Sequence, residues 1–244
     1  MEQKRLKILI ANDDGIESEG LLRLARAAAK LGDVWVCAPA GQCSAMSQRL
    51  TIFNELTLQE RELDADVKAA YSLTGTPADC VKVALTHLMP EKPDYVFSGI
   101  NYGYNVGYDI AYSGTIGAAL EAVMNGVPAI AFSAQDGGST DVTEKYLLPL
   151  AEELIAKGQG EGEIWNINFP GCSIDECRGV LYDRAICRRD LYENWYIESD
   201  LGNGAHRLEV KAKLLDPSEA AEGTDVRAVL DNYVAVNKVK SMVI

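Results

Sequence analysis

Lys7-Ile8-Leu9-Ile10-Ala11-Asn12, followed at once by Asp13-Asp14-Gly15, is the stretch on which the reading of this chain turns. The aliphatic run is strand-sized and stops at a turn-forming Asp-Asp-Gly, which marks it as a buried strand. Residues 19–30 follow, with Leu21, Leu22, Leu24, Ala25 and Ala28 at helical spacing and Gly32-Asp33 to end the helix. Residues 34–38 (VWVCA) then form a second buried strand, stopped by Pro39. Two uninterrupted apolar strands joined by an amphipathic helix predict a parallel sheet covered on both faces.

The same alternation continues outward. Residues 41–50 (GQCSAMSQRL) are small and polar and read as a loop, and 71–74 as a short strand. Pro77 opens a helix whose apolar positions are Val81, Val83, Ala84 and Leu88, and 94–97 (DYVF) is a strand. A glycine-rich stretch over 98–114 leads into a helix over 115–125 that stops at Gly126. A strand over 128–133, a helix over 143–157 and a last strand over 164–169 complete the pattern. Crossovers between parallel strands are right-handed, so the expected fold is α/β, a Rossmann-like three-layer sandwich with a mostly parallel sheet. Ligands in such folds gather beyond the carboxyl ends of the strands, and each polar cluster noted here falls just after a strand.

Beyond residue 170 the texture changes. Residues 180–186, 207–215 and 233–239 alternate like half-exposed hairpin strands, and 217–232 contains a short helix. The chain therefore divides into a catalytic core over 1–170 and a β-rich C-terminal extension over 171–244, a segment suited to pairing with a neighbouring subunit.

Bulk properties narrow the function. A formal net charge of −13 repels a nucleic-acid duplex over most of the surface. A small anionic substrate then needs a local positive element, either a metal ion or a helix N-terminus. The six cysteines form no CxxC pair, and the two histidines, His87 and His206, lie far from all of them, which argues against a mixed Cys/His zinc site. The first residues lack the apolar run of a signal peptide and no segment reaches membrane-spanning length, so the expectation is a reduced, cytoplasmic protein with no membrane partner.

Asp13 and Asp14 are adjacent carboxylates at the end of the first strand. Like charges this close raise one another's pKa unless a cation compensates, and Mg²⁺ or Mn²⁺ suits an oxygen donor set. The ordinary alternative is an Asx turn before Gly15. Asn101, after the 94–97 strand, and Ser44, in the loop after the second, offer an amide oxygen and a hydroxyl at the same edge. Ser113-Gly114-Thr115 precedes a helix and reads either as a phosphate nest or as a plain N-cap. Tyr102, Tyr104, Tyr108 and Tyr112 stack a base or pack their loop down, and 60–66 (ERELDAD) is a solvated loop or hairpin edge.

The segments ILIANDDGIESEGL, APAGQCSAMSQRLT, LTGTPADCV, SGINYGYNVGYDIAYSGTIGAALEA and IWNINFP resemble, in order, the motifs of the SurE survival-protein family. GTDVRAVLDNYVAV is similar to its C-terminal signature. The resemblance implies one divalent metal ion per subunit, Mg²⁺ or Mn²⁺, held by Asp13, Asp14, Ser44 and Asn101. It also implies hydrolysis of nucleoside 5′-monophosphates, and in some members 3′-monophosphates, by a homodimer or homotetramer swapped through the C-terminal part. Asp13, Asp14 and Asn101 are then catalytic and Ser113, Gly114 and Thr115 bind phosphate; either aspartate can be the base. Trp195 and Tyr196 are candidates for closing a partner's pocket. Ala40, Ala45, Met46 and Arg227 depart from the family pattern, at places that bear on substrate preference more than on metal binding. Rival classes fit less well: a phosphoreceiver needs an acceptor aspartate where Asn101 stands, a dinucleotide-binding fold needs GxGxxG after the first strand, and a haloacid-dehalogenase phosphatase needs DxD rather than DD.

Overall fold

The computed structural model describes residues 5–243. Its main sheet has nine strands, in the order β3-β4-β2-β1-β5-β6-β7-β11-β8. These are β1 (Leu6–Ala11), β2 (Gly32–Pro39), β3 (Leu58–Glu60), β4 (Ala69–Leu73), β5 (Tyr95–Tyr102), β6 (Ala129–Ala134), β7 (Glu163–Phe169), β8 (Val180–Tyr182) and β11 (Val234–Lys240). β4, β2, β1, β5, β6 and β7 run parallel, whereas β3 and β11 pair antiparallel with their neighbours β4 and β7. Numbered by themselves, the parallel strands stand in the doubly wound order 3-2-1-4-5-6, with the switch between β1 and β5. The crevice that such a switch opens lies directly above Asp13.

Helices α1 (Glu19–Ala28) and α4 (Asp141–Lys157) cover one face, where Leu21, Leu24, Leu147, Leu150 and Leu154 meet Ile8, Ile10, Phe97 and Phe132. Helices α2 (Pro77–Val83) and α3 (Gly114–Met124) cover the other, packing Cys80, Val81, Ile116 and Ala119 on Leu9, Cys37 and Val96. All these side chains are buried, so the sheet is lined by apolar groups on both faces as its uninterrupted strands require. The helix opened by Pro77 keeps α geometry only to Val83 and then widens into a π turn over Ala84–Leu88.

The expected hairpin strands past residue 170 are partly corrected. Only Ala205–Leu214 (β10) lies in a hairpin, paired with Tyr192–Gly202 (β9), a strand the sequence pattern did not reveal. The segments over 180–186 and 233–239 instead supply β8 and β11 to the main sheet. Helix α5 (Asp225–Leu230) precedes β11, and its Val226 and Val229 join Tyr104, Val106, Leu191 and Leu215 in a third apolar cluster. That cluster seats the glycine-rich loop after β5 on the later residues of the chain.

Candidate active site

Each element end at the switch point delivers one part of the site. β1 stops at Ala11, and the turn after it is tied by Asn12, whose amide donates to the Gly15 carbonyl (2.9 Å) and the Ser18 hydroxyl (2.8 Å). Asn12 is wholly buried and fixes the turn that carries Asp13 and Asp14, of which Asp13 lines the cavity described below and Asp14 does not. Asp13 is itself buried and points at the first turn of α3. The Thr115 hydroxyl donates to its Oδ1 (2.7 Å) and the Thr115 N–H to its Oδ2 (3.2 Å). A carboxylate at a helix N-terminus is a favourable charge–dipole arrangement. It also means that both Thr115 donors are engaged by Asp13, while Ser113 caps the helix by accepting from the Ile116 N–H (3.1 Å).

Gly114 is required at this contact. A Cβ there would stand 2.9 Å from the Asp13 Cβ and 3.0 Å from Oδ2. Substituting Gly114→Ala should therefore push Asp13 off Thr115 and lower turnover by about 10² or more, because a displacement near 1 Å at a reacting centre has that effect. Steady-state kinetics on the folded variant checks this.

Asp14 accepts the Tyr102 N–H at 3.0 Å, bridging the ends of β1 and β5. The β5–β6 register shifts between Ser98 and Asn101, which brings Asn101 to the rim. Its Nδ2 donates to the Gly103 carbonyl (2.8 Å), a bond that orients the amide and leaves Oδ1 without a donor. Ser44 is exposed in a turn held by Cys43 N–H to Asp13 carbonyl (2.7 Å) and Ser47 N–H to Tyr112 carbonyl (2.8 Å). Further along, Asp79 takes N–H bonds from Thr51 (2.9 Å) and Thr76 (2.9 Å), clamping the far end of the same loop to α2.

A cavity of about 290 Å³ opens here, lined by Asp13, Ser44, Asn101, Tyr102, Tyr104, Asn105, Asp109, Tyr112, Ser113, Asp136 and Tyr192 among others. No lysine, arginine or histidine is among its lining residues. Burial pushes the Asp13 carboxyl up to about 6, with the Thr115 hydroxyl opposing and Asp14 adding to the rise. Asp14 is raised too, by burial first, against the Tyr102 N–H and with Asp136 reinforcing. Two adjacent carboxylates, both held above their ordinary range, favour a positive ion placed beside them.

Sequence reasoning missed three contributors. Asp136 enters from the loop after β6, and its place after a strand was the available signal. Tyr192, at the start of β9, brings its hydroxyl to the Tyr104 N–H (3.2 Å), and nothing in the local pattern marks it. A buried amide network sets the glycine-rich loop on the sheet. Asn105 N–H donates to Asn168 (2.7 Å), its Nδ2 to Ser133 (2.7 Å), and Asn166 returns a bond to the Asn105 carbonyl (2.8 Å). Of the tyrosines, Tyr104 is buried and donates to Gln135 (2.9 Å), a packing role, whereas Tyr102, Tyr108 and Tyr112 are exposed. Trp195 and Tyr196 lie exposed on the hairpin rather than among the cavity residues.

The family model for the survival protein SurE matches residues 8–191. The chain belongs to the SurE family. It is 37% identical over 243 residues to the 5′-nucleotidase SurE of Chlorobium chlorochromatii, covering 95% of this chain and 85% of that protein. Identity is 39% over 236 residues to the 5′-nucleotidase SurE of Chlorobaculum tepidum, at 95% and 88% coverage. The crystal structure of the SurE protein from Aquifex aeolicus superposes with a TM-score of 0.80 at 34% identity, over 96% of this chain and 93% of that one. The SurE match spans β1 to the start of the hairpin, so it contains every residue of the cavity described above except Tyr192.

Proposed function

We propose that this chain is a divalent-metal-dependent 5′-nucleotidase that hydrolyses nucleoside 5′-monophosphates, with 3′-monophosphates as secondary substrates, to nucleoside and phosphate. The observation that carries the reading is a cavity at the sheet's switch point whose charged lining is wholly acidic. Such a cavity takes a phosphate only together with a cation. The curated SurE relatives bearing the 5′-nucleotidase name support the substrate class.

The donor set fits Mg²⁺ or Mn²⁺. Asp13, Asp14, Ser44 and Asn101 offer oxygen donors alone, as hard cations prefer. No group of three or more His, Cys, Asp or Glu side chains that could hold a metal occurs among the described residues. The set proposed here combines two carboxylates with a hydroxyl and an amide. When bound, the ion supplies charge neutralisation on the phosphate and acidifies a coordinated water. The chain's own residues do the rest. Thr115 keeps Asp13 ionised and aimed, and the capped N-terminus of α3 offers the Gly114 region and its dipole to the equatorial phosphate oxygens. Asp14, the more open of the pair, is suited to take a proton during attack, with Asp13 the alternative.

We further propose that the hairpin within 171–244 joins two copies into a homodimer, or two dimers into a tetramer, leaving 1–170 as the catalytic core. A lone two-stranded hairpin is marginal in water, and this one exposes Trp195, Ile197, Leu208 and Val210. Light scattering behind size exclusion should give twice or four times the chain mass; a monomer would remove this part of the reading. No helix among the described residues is long and apolar enough to cross a membrane, which is compatible with a cytoplasmic enzyme.

The functional test is phosphate release from a panel of nucleoside monophosphates after EDTA treatment and after restoring Mg²⁺ or Mn²⁺. Release should disappear with chelation and return with metal. Folded protein that releases no phosphate with either ion would sink the proposal.

A further inference from the structure

Of the residues lining the cavity, Tyr192 alone lies beyond the matched stretch 8–191, and it opens β9. Tyr192 is held at both ends. The Asp109 carboxylate accepts the backbone N–H groups of Leu191 (2.8 Å) and Tyr192 (3.2 Å), which pins the start of the hairpin to the glycine-rich loop. At the far end, the Tyr104 N–H donates to the phenol oxygen at 3.2 Å. Tyr104 is anchored in turn, because its own hydroxyl donates to Gln135 (2.9 Å).

A phenol oxygen that accepts from an N–H still has a proton to give. No acceptor for that proton occurs among the described residues, and the Asp109 oxygen nearest the hairpin start is engaged by the two N–H groups. Burial pushes the Tyr192 phenol above the ordinary tyrosine range, so the proton is present at neutral pH. The hydroxyl also stands beside a proposed ion ligand. A Cβ on Gly103 would lie 3.3 Å from the Tyr192 oxygen and 3.8 Å from the Asn101 amide nitrogen. Ser113, on the same cavity, repeats the arrangement. Its hydroxyl accepts the Ile116 N–H (3.1 Å) and keeps a proton to donate. With no lysine, arginine or histidine on the lining, neutral donors of this kind are what the side chains offer to the oxygens of an anion.

We propose that the Tyr192 hydroxyl is a phosphate-binding donor, hydrogen-bonding a non-bridging oxygen of the substrate's phosphate, and of the phosphate product, alongside Ser113. This deepens the nucleotidase reading and rests on it. The hydroxyl is fixed by Tyr104 and its backbone by Asp109 before anything binds, so little further ordering is needed when the anion arrives.

The test is calorimetric binding of inorganic phosphate to Mn²⁺-loaded protein, wild type against Tyr192→Phe, which removes one oxygen and keeps the ring. The variant should bind phosphate about 10-fold or more weakly, the loss expected for one hydrogen bond to a charged partner. KM for a nucleoside monophosphate should rise to match. Affinities for Mn²⁺ and for the free nucleoside should stay as in the wild type. A loosened loop would instead disturb Asn101 and weaken Mn²⁺ binding, so that outcome overturns the proposal by making Tyr192 structural. Unchanged phosphate binding overturns it too, as does a loss confined to the nucleoside. Asp109→Ala keeps the hydroxyl but frees the backbone that aims it. It should weaken phosphate binding in the same direction, and it carries the test if the Phe variant does not fold. Wild type that binds phosphate but releases none from nucleotides counts against the nucleotidase reading and leaves the Tyr192 result intact.

Discussion

Replacing Asp13 by Asn should reduce phosphate release by about 10³ or more and, in the metal-free protein, raise the melting temperature. The two effects have one origin. Asp13 is buried, and burial lifts its carboxyl from 3.8 to about 6. Between those values the folded protein binds more protons than the unfolded chain, so this group makes stability fall as pH rises from about 4 to about 6. Above that window the ionised carboxylate costs about 3 kcal/mol. Asn removes the charge yet can still accept the Thr115 N–H and donate to the Thr115 hydroxyl. At about 2–4 °C per kcal/mol for a chain of this size, a gain of several degrees at pH 7 is expected without metal. Mg²⁺ or Mn²⁺ should stabilise the wild type and leave Asp13→Asn unmoved. Thermal melts with and without metal, alongside kinetics, check all three statements. A variant that melts lower in the absence of metal would make Asp13 a structural anchor rather than a strained ligand.

The largest stability loss is expected at a residue outside the cavity. Asp225 is wholly buried at the start of α5 and accepts three backbone N–H groups, from Gly107 (2.9 Å), Cys187 (2.8 Å) and Val226 (2.8 Å). Gly107 belongs to the glycine-rich loop and Cys187 to the segment before the hairpin, so one carboxylate fastens three stretches of chain. Asp225→Ala leaves two of those donors buried without an acceptor and frees the third, at about 1–3 kcal/mol for each unsatisfied group. A total near 3–5 kcal/mol is expected, read as a lower denaturation midpoint in urea. Since the loop it holds carries Tyr104 and Asn105 to the cavity wall, KM should rise as well. A midpoint unchanged within error would show that the third apolar cluster holds the loop unaided.

Residues carrying the site were legible because they sit where the fold puts ligands. Asp13 and Asp14 follow β1, Asn101 closes β5, and Ser113 to Thr115 open α3, each recognisable from the strand or helix beside it. Ser44 was legible only as part of a loop after β2. What the local pattern hid were residues whose role depends on chain returning from far away. Tyr192 reaches the cavity from 88 residues beyond Tyr104, and the Asn105–Asn168 bond spans 63. β11 was misread for a related reason. Its first four residues are buried and its last three partly open, so the alternation suggests a half-exposed hairpin although the strand lies inside the main sheet. The sequence leaves Thr115 open between a phosphate nest and a plain N-cap, and it is the approach of α3 to β1 that sets its hydroxyl and N–H on Asp13.

The antiparallel placement of β11 against β7 has a consequence for biosynthesis. Until Val234 and its successors emerge, the hydrogen-bonding edge of β7 has no neighbour, because β8 pairs only with β11. Phe169 and Val234 are 65 positions apart, and at about 5–20 residues per second that interval lasts roughly 3–13 s. Throughout it the nascent chain carries a nearly complete parallel sheet with one open apolar edge, the kind of surface that recruits other chains on a polysome. Ribosome-bound chaperones therefore have a defined window and a defined edge to protect, and the enzyme becomes safe from edge-on association only when its last strand is made.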